Sequence, residues 1–89
     1  MKAVVTVVGK DTVGIIANVC TELAGCNVNV LDISQTVMQG YFTMMMAVDT
    51  SKSEIPFAEL AKKLDTKGEE MGMSIRLQRE DIFEAMHRV

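Results

Sequence analysis

Eighty-nine residues with a net charge of −3 suit one small domain, taken here as residues 1–89. So short a chain buries a limited share of its surface, and a partner or ligand would add to its stability. Scattered cations and four aromatic residues (Tyr41, Phe42, Phe57 and Phe83) exclude the basic stripe with stacking rings that marks a nucleic-acid binder. No apolar run approaches the roughly 20 residues of a membrane span, and residues 3–8 are too short for a secretory leader. A cytoplasmic protein with no membrane or nucleic-acid partner is expected. Cys20 and Cys26 have no companion His or Cys cluster and read as reduced thiols, Cys20 in the core. No metal site and no cofactor are expected. The single histidine, His87, reads as a surface residue.

Residues 2–8 are apolar or β-branched on both alternating sets, as in a central strand. A helix follows over about 13–24. Ile16, Cys20, Leu23 and Ala24 form its expected buried stripe, and Gly25 its left-handed stop. Asp11 or Thr12 can cap its start. Residues 27–38 read as a long strand whose apolar phase shifts at Val30 and Leu31, which a bulge or burial on both faces would explain. Gln39 and Gly40 mark a tight turn into a third strand, 41–49, with Met44, Met45 and Met46 in succession.

A polar loop over 49–53 precedes a second helix. It starts at Ser53 or Ile55, tolerates Pro56 in its first turn, and ends near Gly72. Its expected stripe is Phe57, Leu60, Ala61, Leu64 and Met71. Gly68 counts against helix here. Residues 73–80 alternate cleanly, Met73, Ile75 and Leu77 inward, as in an edge strand with one wet face. Asp81 then opens a short apolar helix, with Glu84 at capping-box spacing. That tail is expected to pack on its own sheet or on another subunit.

Strand, helix, strand, strand, helix, strand, with right-handed crossovers, predicts an α+β ferredoxin-like βαββαβ sandwich. The antiparallel sheet has order 4-1-3-2, with both helices on one face. The other face keeps apolar residues from the central strands, and a bare patch of that kind marks an interface. A homodimer is expected, with open faces or edge strands meeting.

The turn over residues 9–14 joins the first strand to a helix N-terminus. Free backbone N–H groups there suit a carboxylate or phosphate. The residues around it resemble the ACT domain. The matching stretch is Asp11-Thr12-Val13-Gly14-Ile15-Ile16, with Cys20, Leu23 and Asn27-Val28-Asn29-Val30 after it. The closing residues 82–89 look like those of small bacterial proteins made of a single ACT domain, relatives of the glycine-cleavage repressor and of the regulatory part of formyltetrahydrofolate deformylase. The resemblance covers nearly the whole chain. It implies a regulatory module that binds a small molecule, typically an amino acid, between two domains. By position the ligand contacts would be Asp11, Thr12, Val13, Gly14, Ile15 and Asn29. Serine-binding relatives carry a polar ring residue where this chain has Gly9, and Asn where it has Asp11. That departure argues against serine. Asp11 suits an ammonium, and the helix amides suit a carboxylate.

Three rival functions share this topology or size. An acylphosphatase needs an Arg beside its phosphate loop, and Lys10 is the only cation near this one; no catalytic pair is evident either. An RNA-recognition domain needs exposed aromatics among basic residues. A copper carrier needs closely paired cysteines. None of these patterns occurs. A ligand-free interaction module that dimerises and touches a larger protein partner is the remaining alternative.

Overall fold

In the computed structural model, residues 1–10 and 13–81 are described. The element order is β1 (Lys2–Lys10), α1 (Ile15–Gly25), β2 (Asn29–Met38), β3 (Tyr41–Asp49), α2 (Phe57–Met71) and β4 (Ser74–Arg79). The four strands form one sheet in the order β2-β3-β1-β4, with antiparallel pairing throughout. This is the ferredoxin-like βαββαβ arrangement expected, with β1 and β3 central. The remaining tail, residues 82–89 with its expected apolar set, lies outside the described residues. Helical conformation begins at Glu80 and Asp81, one residue ahead of the expected start.

Strand parity sorts the sheet into two faces. Ala3, Val5 and Val7 of β1, and Phe42, Met44, Met46 and Val48 of β3, are buried. They pack with Ile75 and Leu77 of β4 against the helices. The intervening residues of β1 and β3 form the opposite face. The run of three methionines therefore splits: Met44 and Met46 fill the core, while Met45 stays partly exposed on the open side.

In β2 the register slips between Val30 and Asp32, so Leu31 is the extra residue of a bulge. This explains the apolar phase shift in the sequence. The strand itself is shorter than expected, since Asn27 and Val28 belong to the end of α1. The β2–β3 turn has Gln39 at φ 52 and Gly40 at φ 80, between the paired Met38 and Tyr41. Two positive φ values in a two-residue loop define a type I′ hairpin turn.

The helices depart from expectation in several ways, beginning with the N-cap of α1, which is Gly14 and not Asp11 or Thr12. In α1 the buried line is Ile15, Val19 and Leu23 rather than Ile16, Cys20, Leu23 and Ala24. Cys20 is only partly buried, packed against the core. Apolar residues occupy more than one stripe of this helix, and its entry at Gly14 decides which stripe faces the sheet. Both cysteines are free thiols.

Gly25 remains helical, and the left-handed residue after α1 is Asn27, at φ 58. Asn27 N–H donates to the Ala24 carbonyl and Val28 N–H to that of Leu23, at 3.1 and 3.0 Å. This is a Schellman ending, with buried Val28 beside Leu23 as its apolar contact. Asn supplies the αL residue because its short polar side chain tolerates that region.

α2 begins after Pro56, whose φ of −59 and ψ of 151 place it just outside the helix. Ser53 and Ile55, the expected starts, fall in the preceding loop. α2 ends on Gly72, at φ 69, in a second Schellman pattern: Met73 N–H donates to the Gly68 carbonyl at 2.8 Å. Leu60, Leu64 and Gly68 are its buried residues, with Phe57, Ala61 and Met71 partly buried around them. Gly68 was expected to weaken the helix; instead it sits at the contact with β4. A Cβ placed there would lie 2.7 Å from the Met73 carbonyl oxygen and 3.1 Å from Ile75 Cγ1.

Candidate functional site

Of the six expected site residues, Asp11 and Thr12 lie outside the described residues. Val13 is fully exposed beside the turn, and Gly14 is the N-cap of α1 at φ 85 and ψ 10. Ile15 opens the helix with its side chain buried, so what it can offer a ligand is its backbone N–H. Gly14 has no side chain with which to satisfy the first-turn amides. The N–H groups of Ile15, Ile16 and Ala17 have no acceptor within the helix. The partial positive charge of this helix end adds to their pull on an anion.

Sequence reasoning missed Asn18. Its backbone N–H and its Nδ2 both donate to the Gly14 carbonyl, each at 2.9 Å. This double contact ties the turn to the first helical turn. Spacing of four from Gly14 was the available signal. Gly9 is explained by packing. A Cβ there would meet Met73 Cε at 2.7 Å and Cγ at 2.9 Å, so the polar ring that serine-binding relatives carry has no room while Met73 stays in place.

Asn29 is elsewhere. It pairs with Asp49, which pairs with Lys2, at the end of the sheet where β1 starts. The Gly14 turn follows Lys10, at the end where β1 finishes. The nine residues of β1 separate the two ends, and at about 3.3 Å per residue that is roughly 25 Å. One chain does not bring Asn29 to Gly14.

Asn29 instead lines an open cleft of about 600 Å³ with Asn27, Asp49, Ser51 and Lys52. Asp49 accepts the Ser51 N–H at 2.9 Å and lies 3.5 Å from the N-terminal ammonium. The Ser51 backbone bond, then its side chain, and the positive N-terminus hold the Asp49 carboxyl below its ordinary range. A depressed folded-state pKa stabilises the fold above the unfolded value, and the effect is lost as pH falls through the folded one. Asp49→Ala is therefore expected to melt below the parent at pH 7, with the gap closing as pH falls through and below about 4. Paired thermal melts across that range check it.

Among the described residues, no group of three His, Cys, Asp or Glu side chains could hold a metal ion, and no helix is long and apolar enough to cross a membrane.

The sequence matches the ACT domain profile over residues 2–78. A UPF0237 protein of Bifidobacterium longum is 56% identical over 88 residues, covering 99% of this chain and 98% of that one. The chain belongs to the ACT domain family, in its UPF0237 group. Among solved structures, an ACT domain protein from Streptococcus pneumoniae superposes with a TM-score of 0.83 at 44% identity, covering 98% of each chain. More distant likenesses show the fold alone. A formyltetrahydrofolate deformylase from Pseudomonas putida has a TM-score of 0.79 at 16% identity, over 91% of this chain and 30% of that one. A glycine cleavage system transcriptional repressor has a TM-score of 0.73 at 22% identity, over 86% and 44%. ACT domains are typically regulatory modules that bind small molecules.

Proposed function

We propose that this protein is a non-catalytic cytoplasmic regulator that binds a free amino acid as a homodimer, without cofactor or metal. The observation that carries the reading is the exposed N-terminus of α1, opened by Gly14 at φ 85 with no side-chain cap. Its amides take the ligand carboxylate. Asp11 takes the ammonium, Thr12 and Val13 flank the turn, and Asn29 of a second copy supplies the remaining polar contact.

The edge strand β2 supports a pairing that would bring Asn29 there. Leu31, Ile33, Val37 and Met38 are 48%, 40%, 54% and 67% exposed on a strand with a single neighbour. Its only charge is Asp32, and it lacks proline and lysine. The other edge, β4, carries Arg76 and Arg79. Charge guards an edge against pairing, and β2 is nearly unguarded. Antiparallel pairing of two β2 strands about Gln35 sets Ile33 against Val37 and Ser34 against Thr36. The Asn29 end of one copy then lies at the same end of the joined sheet as the Gly14 turn of the other. The site is incomplete in one chain and complete in two.

A thermal-shift screen of the twenty amino acids tests this. At 100 times Kd a ligand adds about 2.7 kcal/mol to the folded state, which for a domain of this size is a rise of roughly 10 °C or more. No shift with any of them at millimolar concentration would leave the alternative, a ligand-free interaction module.

A further inference from the structure

The sheet face turned away from the helices is self-complementary, and we infer that it seats the same face of a second copy. The pairing of β1 with β3 sets out five rows: Lys2 with Asp49, Val4 with Ala47, Thr6 with Met45, Val8 with Thr43, and Lys10 with Tyr41. Parity places all of them on the face without helices. Val8 and Met45 remain 42% and 36% exposed at its centre.

A two-fold axis along the seam between β1 and β3 lays each β1 residue over the β3 residue of the same row in the partner copy. Every row then matches. Lys2 meets an aspartate at one end, and Lys10 meets a tyrosine ring at the other, an ion pair and a cation–π contact. Between them a larger side chain meets a smaller one each time: Val4 on Ala47, Met45 on Thr6, Val8 on Thr43. Alternating large and small is how facing sheets interdigitate at about 10 Å separation. Turning the copy end over end instead sets Lys2 over Lys10, so the charges select the axis. Opposing sheets cross at about 30°, and the long side chains of the end rows reach across that angle.

The area suffices. Four strands about 4.8 Å apart and roughly eight residues long present roughly 500 Å² per copy. Both copies together bury about 1,000 Å², the lower bound for a specific interface. This contact uses no part of the β2 edge, so the two can coexist; their axes do not meet, so together they build an open stack and not a closed tetramer.

Sedimentation equilibrium of the full chain tests the inference. Met45→Lys places a charge at the face centre without touching the core, and Val8→Lys does so from the neighbouring strand. Each is expected to lower the parent mass by at least half while the circular dichroism spectrum is unchanged. Ile33→Lys, on the β2 edge, separates the two interfaces: it removes edge pairing and leaves the mass lost on Met45→Lys still to lose. A double variant, Ser34→Cys with Arg76→Cys, carries thiols on opposite edges of the face. Treated with a bifunctional maleimide that spans about 10 Å, the separation of packed sheets and too wide for a direct disulfide, it is expected to form a covalent dimer in greater yield than either single variant. A monomeric parent, or Met45→Lys and Val8→Lys at the parent mass, overturns the inference, whether residues 82–89 or another protein covers the face.

Discussion

Replacing Gly68, buried where α2 meets β4, by leucine is expected to lower the melting temperature by roughly 10–20 °C. The reason is distance. A Cβ at position 68 would stand 2.7 Å from the Met73 carbonyl oxygen, and that oxygen belongs to the backbone. It cannot swing away as a side-chain tip can. Met73 N–H also donates to the Gly68 carbonyl at 2.8 Å, so the two residues are held together by the helix ending itself. Relieving the clash requires lifting α2 off β4, across the contact that buries Leu64 and Ile75. Overpacking of this kind costs typically about 1–3 kcal/mol and sometimes more, and each kcal/mol is worth about 4–8 °C in a domain of this length. Gly25→Ala supplies the control. Nothing lies within 4 Å of a Cβ at Gly25, so the helix propensity of alanine acts alone there and stabilises by up to about 1 kcal/mol. Thermal melts of Gly25→Ala, Gly68→Ala and Gly68→Leu decide the matter. If Gly68→Ala raises the melting temperature as Gly25→Ala does, the close approach of α2 to β4 is wrong.

That contrast shows what a sequence can and cannot disclose. Gly25 reads in the sequence as a helix stop and Gly68 as a weak point within a helix, yet both lie inside helices, where propensity treats them alike. What separates them is the neighbour across the gap, a residue of β4 in one case and open space in the other, and no local pattern carries that. Other features were legible because they are local. The parity reversal at Val30 and Leu31 is a period-two signal, and one extra residue in β2 accounts for it. Gln39-Gly40 reads directly as a turn because both positions need positive φ. The buried side of α1 was misjudged for a physical reason. Ile15, Ile16, Val19, Cys20, Leu23 and Ala24 give it more than one apolar line, and the sheet chooses Ile15, Val19 and Leu23. The candidate site was half legible. Gly14 as a helix opening follows from a strand running into a helical period. The separation of Asn29 from Gly14 follows from topology rather than from either motif. β1 and α1 run in opposite directions, so a residue just past the end of α1 returns to the end of the sheet where β1 began.

The same topology makes the site testable by mixing two defective proteins. Gly14→Leu is expected to abolish the amino-acid response. The native φ of 85 is one an L-residue adopts at a cost of about 1–2 kcal/mol. The side chain crowds the amides offered to the carboxylate, although its Cβ meets Asn18 Nδ2 at a tolerable 3.4 Å. The basal melting temperature falls by several degrees and the dimer persists, since β2 is untouched. Asn29→Ala is expected to weaken or abolish the response with little change in basal stability, because Asn29 is exposed. Each variant alone breaks both sites of a homodimer. A mixed dimer is different. It joins the intact turn of the Asn29→Ala chain to the intact Asn29 of the Gly14→Leu chain, and so recovers one of two sites. After subunit exchange, an equimolar mixture forms such dimers as about half of its population by random pairing. Calorimetric titration should then find about one quarter of the parent's ligand sites, where either variant alone shows little or none. A site contained within one chain cannot be rescued in this way, because every chain in the mixture carries one of the two defects. Failure of the mixture to respond, with exchange confirmed, would place Asn29 outside the ligand site and leave the α1 turn acting alone.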